Sequence, residues 1–151
     1  MEEACLYLAQ RYPRPLTVFG HSAGGHLAAC MLATDWNSRI RPNPVAAAYA
    51  ISGLFDLEPL VHTSINNKLC LSLEEAHKLS PIRWPAPIGK SLIAAVGESS
   101  EYLRQSRSLC ATWGGRGTNT RLNEVDGANH FTIIAPLADP DSAMTLSLIH
   151  I

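Results

Sequence analysis

Hydrophobic and polar positions along the chain follow two spacings, one typical of strands and one typical of helices. Three short apolar runs and one alternating stretch predict strands over residues 16–19, 45–51, 91–96 and 120–125. Apolar residues at three- and four-residue intervals predict helices over residues 2–12, 25–34, 72–80, 101–113, 131–137 and 142–151. Alternating strands and helices predict an α/β fold: a parallel sheet of about four strands with helices on both faces.

The whole chain, residues 1–151, has the length of one domain. Within it, residues 63–87 carry no strand pattern, and we expect a helical segment there that lies near the functional site. Its leucines at positions 69, 71 and 73 could contact a substrate or pack in the core. The apolar end of the chain, residues 146–151, has no helix-ending residue, and we assign no function to it.

Composition excludes several classes of function. A net charge of -1 and a charged fraction of 17% give no reason to expect nucleic acid or an acidic membrane as partner. The four cysteines are scattered without metal-ligand spacing, which favours a reduced, cytoplasmic protein without a metal. No apolar stretch is long enough to cross a membrane, and Glu2 and Glu3 stand where a signal peptide would be basic.

A G-x-S-x-G sequence follows the first predicted strand directly, at Gly20–Gly24. This pattern between a strand and a helix is typical of a tight turn that exposes the serine, so Ser22 is the candidate nucleophile. The amide of Ala23, at the start of the helix, could face a developing oxyanion. We expect Gly20 and Gly24 to be small because strand and helix pack closely at this turn.

An activated serine needs a base, and the chain has six histidines. His130 follows the fourth predicted strand through the loop 126–129, which can place it over the carboxyl edge of the sheet. Because parallel strands point the same way, the serine turn lies at that edge as well. We therefore predict His130 as the base. His21 is expected to pack against the sheet, and His26 to point away from the serine oxygen.

The serine–acid–histidine order and the sequences around Ser22 and His130 resemble the α/β-hydrolase superfamily. The chain is more narrowly similar to the esterase and arylformamidase (kynurenine formamidase) branch through residues 52–60, 79–81 and 98–106. This resemblance implies a serine hydrolase that cleaves a small-molecule carboxylic ester or aryl formamide through an acyl-enzyme. It implies neither a metal nor an organic cofactor. The alternative is a non-catalytic remnant or interaction module that retains the serine turn.

The acid of the catalytic triad is implied by the same resemblance. Aligning Arg104-Gln105-Ser106 with the branch places Glu98 at the position of the family's acid, often an aspartate. Asp56 and Glu101 stay open as alternatives, although each also has a simpler explanation. Asp56 is placed to cap a short helix that runs to Val61, and Glu101 is a charge at the start of a helix.

The resemblance also predicts what lies outside the chain. The family carries a His-Gly-Gly type motif before the serine turn, and no such motif precedes Ser22. The 19 residues before Gly20 are too few for the four strands that normally precede it, so we expect the C-terminal part of a hydrolase. Residues 16–19 would then form an apolar sheet edge through which copies could pair.

Overall fold

The computed structural model describes residues 1–97 and 99–151, in which helices and strands alternate along the chain. The strands are β1 (Leu16–His21), β2 (Val45–Ile51), β3 (Ser91–Val96) and β4 (Asn119–Glu124). The α-helices are α1 (Glu2–Arg11), α2 (Ala23–Ala33), α3 (Asn66–Leu69), α4 (Leu73–Leu79), α5 (Ser100–Gly114) and α6 (Ala143–Ile149). Short 3-10 helices span Trp36–Ser38, Glu58–His62, Pro81–Arg83 and Thr132–Ala138.

The four strands form one parallel sheet in the order β1-β2-β3-β4, with β1 and β4 at its edges. This arrangement confirms the predicted fold class. Apolar side chains fill both faces of β2 and β3, as expected for parallel strands covered on each side. Because the strands are parallel and in sequence order, all four deliver the chain to the same edge of the sheet.

Two apolar cores lie on opposite faces of the sheet. On one face, α2 and α5 pack over β2 and β3, and the core includes Trp36, Phe55 and Trp113. On the other face, the 3-10 helix Thr132–Ala138 and α6 pack over Tyr49 and Ile93. Helices therefore cover both faces, as the sequence predicted.

The segment between β2 and β3 begins at the carboxyl edge of the sheet and contains short helices. The predicted capping box at the start of α4 is present: Glu75 N donates to Ser72 Oγ at 3.2 Å, and Ser72 N donates to the Glu75 carboxylate at 2.9 Å. The expectation that Asp56 caps the next short helix is wrong. That helix, Glu58–His62, begins after Leu57 and has no side-chain cap, and Asp56 lies 3.8 Å from Arg83 instead.

None of the helices in the described part of the chain has both the length and the apolar character of a membrane span.

Candidate active site

Ser22 lies at the tight turn between β1 and α2. Its backbone has a φ of 59° and a ψ of -119°, a conformation that a residue with a side chain rarely adopts. Ala23 is the first residue of α2, so the Ser22 side chain stands at the helix N-terminus. The sharp change of direction exposes the serine oxygen at the carboxyl edge of the sheet.

Glycines allow this turn by letting backbones approach closely. A Cβ added to Gly20 would lie 2.5 Å from the carbonyl carbon of Gly24, and a Cβ added to Gly25 would lie 2.7 Å from the Ile51 oxygen. Gly24 itself has open space where its Cβ would be. The expectation that Gly24 must be small for packing is therefore wrong, and Gly25 has that role beside Gly20.

The structure brings Ser22 and His130 together. His130 Nε2 lies 3.0 Å from Ser22 Oγ, although the two residues are 108 positions apart in the chain. The loop that carries His130 is fixed by Asn129, whose side-chain oxygen accepts hydrogen bonds from Phe131 N at 2.9 Å and Thr132 N at 3.0 Å. The end of β3 packs against this loop, because a Cβ on Gly97 would lie 2.6 Å from the Val125 oxygen.

Aromatic rings hold the His130 imidazole in place. The His21 ring centroid lies 4.6 Å from that of His130, and the Tyr102 ring centroid lies 5.2 Å away. Sequence reasoning assigned no role to Tyr102. Its position in the segment 98–106, which carries the resemblance, was the available indication. The expectation for His26 concerned the serine oxygen, and its ring nitrogens contact other groups: Nδ1 donates to the Leu54 oxygen at 2.7 Å, and Nε2 lies 3.5 Å from Cys30 Sγ.

The three candidate acids differ in their surroundings. Glu98, the preferred candidate, lies outside the described residues. The carboxylate of Glu101 accepts hydrogen bonds from Arg104 at 2.7 and 2.8 Å and from Gln105 at 2.8 Å. The Arg104 hydrogen bonds lower the pKa of Glu101 below its usual value. Asp56 Oδ1 lies 3.8 Å from Arg83 Nη2.

An apolar cavity of about 380 Å³ opens beside Ser22. Seven leucine and isoleucine side chains provide most of its walls, and Ser22, Ala23 and His26 provide one end. The apolar wall residues are Leu54, Leu57, Leu60, Ile65, Leu69, Leu71 and Leu79. Two of the three leucines named from the sequence line this cavity, and the third, Leu73, lies outside its lining.

Among residues 1–97 and 99–151, no group of three or more histidine, cysteine, aspartate or glutamate side chains is placed to hold a metal ion.

Comparison with solved structures identifies the fold. A candidate thioesterase from Silicibacter sp. TM1040, solved by crystallography, superposes with a TM-score of 0.81 at 29% identity, over 97% of this chain and 55% of that chain. The chain has the fold of the α/β-hydrolases. An esterase from Thermogutta terrifontis with bound propionate shares the fold, with a TM-score of 0.69 at 19% identity over 99% of this chain and 60% of that chain.

The chain is similar in sequence to two curated kynurenine formamidases, which confirms the resemblance to the arylformamidase branch. It is 31% identical to the protein from Danio rerio over 141 residues, and 33% identical to the protein from Salmo salar over 142 residues. Each alignment covers 89% of this chain and 48% of the relative. The chain thus spans about half the length of the curated relatives it matches. No protein-family model matches it.

Proposed function

We propose that this protein is a serine hydrolase that cleaves a small-molecule carboxylic ester or aryl formamide through an acyl-enzyme. The observation that carries the proposal is the 3.0 Å separation of Ser22 Oγ and His130 Nε2 at a strand-to-helix turn. Its similarity to kynurenine formamidases and to an esterase supports the same class of reaction.

In the proposed reaction, Ser22 Oγ attacks the carbonyl carbon of the substrate while its proton passes to His130 Nε2. The tetrahedral intermediate collapses, and the imidazolium gives that proton to the departing alcohol or amine. Water then attacks the acyl-serine ester with His130 again accepting the proton. As the bond between the acyl carbon and Ser22 Oγ breaks, the imidazolium returns this proton to Oγ, which regenerates Ser22 and releases the carboxylic acid.

Two further roles complete the proposed mechanism. Glu98 is the acid that we propose to stabilise the His130 imidazolium, because the resemblance aligns it with the acid of the family. The Ala23 amide is proposed to donate to the developing oxyanion, which is supported by its position at the first residue of α2 and in the cavity beside Ser22.

A fluorophosphonate probe tests the central claim, because it labels serines that are activated as nucleophiles. We expect the full-length protein to be labelled and to hydrolyse p-nitrophenyl acetate, and its Ser22→Ala variant to lose both properties. Turnover should fall by a factor on the order of 10⁴ to 10⁶.

The control variant is Ser38→Ala, which changes an exposed serine in the 3-10 helix Trp36–Ser38. It should be labelled like the wild type. A folded wild-type protein that is neither labelled nor active would instead support the non-catalytic alternative.

We also propose that copies of the protein pair through β1. Its position at the sheet edge supports this, as do its alternating exposed positions, Thr17 and Phe19. A Thr17→Lys substitution should then lower the molar mass measured by light scattering. An unchanged molar mass would contradict the pairing. A cytoplasmic location is likewise proposed, and the four free thiols of Cys5, Cys30, Cys70 and Cys110 support it.

A further inference from the structure

His130 lies in a short turn of residues 129–132, the His130 turn, which is closed by two of its own side chains. Asn129 Oδ1 accepts hydrogen bonds from Phe131 N at 2.9 Å and from Thr132 N at 3.0 Å. In the opposite direction, Asn129 N donates to Thr132 Oγ1 at 2.9 Å. Asn129 and Thr132 therefore bond each other's backbone across His130, in the reciprocal arrangement of a capping box.

The two ends of the His130 turn are anchored in packed parts of the fold. Before the turn, Ala128 packs against the end of β3, where a Cβ added to Gly97 would lie 2.7 Å from the Ala128 Cβ. After the turn, Ile133 is fully buried, and its amide donates to the Asn129 oxygen at 3.0 Å. Between these anchors the residues of the turn other than His130 are exposed. Packing therefore contributes little to the conformation of this backbone, and the side-chain hydrogen bonds fix it.

The His130 turn carries two neighbouring rings that point in different directions. His130 Nε2 lies 3.0 Å from Ser22 Oγ. The Phe131 ring is 81% exposed and stands nearly perpendicular to the His130 ring, with the two centroids 5.9 Å apart. Because the two residues are adjacent, a small change in the direction of the backbone would carry the imidazole away from Ser22. The shape of the turn therefore decides whether residue 130 reaches the serine.

We propose that Asn129 and Thr132 are positioning residues, which hold the His130 imidazole at the distance and angle needed to take the proton from Ser22 Oγ. In this role they act through the backbone on either side of His130, and they exchange no proton themselves. This inference rests on the proposed function, because the transfer of a proton from Ser22 to His130 belongs to the proposed mechanism.

A small displacement of His130 should affect catalysis much more than stability. A base takes a proton directly from a hydroxyl at a heavy-atom separation of about 2.6–3.2 Å, and the observed 3.0 Å lies near the upper end of that range. A misplacement of about 1 Å lowers a rate by a factor on the order of 10². Single hydrogen bonds in an exposed turn contribute little to the free energy of unfolding. The two effects can therefore be measured separately.

The first experiment measures the second-order rate constant for fluorophosphonate labelling of Ser22 in the full-length protein, because this reaction requires the serine proton to be taken up. Asn129→Leu keeps the approximate size of the side chain and removes its acceptor, and it should lower the rate constant by about 10- to 100-fold. Asn129→Asp keeps an oxygen acceptor and should stay within about 5-fold of the wild type. Both variants should melt within about 4 °C of the wild type, because the turn is exposed.

The second experiment uses an uncharged pair of variants at the other end of the turn. Thr132→Val keeps the shape of the side chain and removes the hydroxyl that accepts from Asn129 N, so labelling should slow by about 5-fold or more. Thr132→Ser keeps the hydroxyl and should stay within about 2-fold of the wild type. This pair decides the test where Asn129→Leu fails to fold. A folded Thr132→Val that reacts as fast as the wild type would overturn the role of Thr132, and the same result for Asn129→Leu would overturn that of Asn129.

A matched control removes the same kind of contact at the other end of the 3-10 helix Thr132–Ala138. Asp139 is exposed, and its Oδ1 accepts a hydrogen bond from Asp141 N at 2.9 Å. Asp139→Leu should be labelled at the wild-type rate. An equal loss in this variant would show that disturbance of the helix, and not the position of His130, slows labelling. Labelling of the Asn129 and Thr132 variants should be slow but complete, whereas partial unfolding would leave a fraction of the protein unlabelled.

The wild-type protein distinguishes the two possible failures. Without labelling of the folded wild type, the proposed function itself fails. With normal labelling of the wild type and equally fast labelling of the folded Asn129→Leu and Thr132→Val variants, the proposed nucleophile stands and this inference fails.

Discussion

The two sides of the candidate site are held in place by different means. On the nucleophile side, Ser22 is positioned by backbone geometry, since Gly20 allows β1 to pack against the carbonyl of Gly24. On the cavity side, residues 54–57, which follow β2, are positioned by hydrogen bonds: His26 donates to the Leu54 oxygen, and the side-chain oxygens of Gln105 and Ser80 accept from the next three amides. At such a close backbone contact as that of Gly20, any added side-chain atom would displace the helix. Side-chain hydrogen bonds can be removed singly, with graded effects.

Because of this difference, substitutions on the two sides should affect different properties of the enzyme: the rate of the reaction on one side and the choice of substrate on the other. Errors on the nucleophile side should abolish the reaction, because the Ser22 oxygen and His130 must remain within hydrogen-bonding distance. Substitutions on the cavity side should change which substrates react and leave the chemistry in place. The predictions below test this separation, from the largest expected effect to the smallest.

Substitution His130→Ala should give the largest loss. Removing the proposed base should lower kcat for p-nitrophenyl acetate by a factor on the order of 10⁴ to 10⁶ and abolish fluorophosphonate labelling. The matched control is His150→Ala, which removes an exposed histidine after α6 and should leave kcat unchanged. Comparable losses in both variants would remove the special role of His130.

Substitution Gly20→Ala should damage both stability and activity. The new Cβ would lie 2.5 Å from the Gly24 carbonyl group, so α2 would have to move away from β1. We expect the free energy of unfolding to fall by about 1–3 kcal/mol and labelling of Ser22 to be lost.

Gly24→Ala is the matched comparison for that variant, because its Cβ would enter open space. Its free energy of unfolding should stay within about 1 kcal/mol of the wild type. Chemical denaturation measures both variants. Equal destabilisation by the two substitutions would show that the close approach of strand and helix is not what requires Gly20.

The contribution of Glu101 to the stability of the folded protein should be small and should depend on pH. Its pKa is lowered in the folded protein, chiefly by hydrogen bonds from Arg104, so its contribution to stability is present above the pKa of the unfolded chain. That contribution is lost as the pH falls through the folded-state pKa. The wild type should therefore melt at a higher temperature than Glu101→Gln at pH 7, and the difference should disappear in acid. A difference that grows on acidification would contradict the assignment.

The strands and the nucleophile turn could be predicted from the sequence because both are encoded locally. Apolar runs marked β2 and β3 at their observed bounds, and the glycines around Ser22 marked the turn. The structure extends β1 to His21, two residues beyond the apolar run, because the strand continues to pair with Ile51 up to the turn. The preference for Gly24 over Gly25 as the packing residue was wrong, since the spacing pattern does not show which glycine faces β2.

The cavity wall could not be predicted because it depends on contacts between distant elements. Gln105 lies on the face of α5 that also carries Leu109 and Trp113, and a polar residue on a buried helix face was the available indication. Its partners, Phe55 N and Asp56 N, are 50 and 49 positions away. The packing of Tyr102 against His130 was missed for the same reason.

The separation of Ser22 and His130 by 108 positions has a consequence for the order in which the protein folds. Their contact closes a loop that contains β2, β3 and β4, and the entropic cost of closing so long a loop must be offset by the contacts of the strands between them. Reactivity at Ser22 should therefore emerge late during refolding, after most of the helical circular dichroism signal has returned. Labelling with a fluorophosphonate at successive times during refolding would then report when the fold is complete. The circular dichroism signal of the helices would reach its final value earlier.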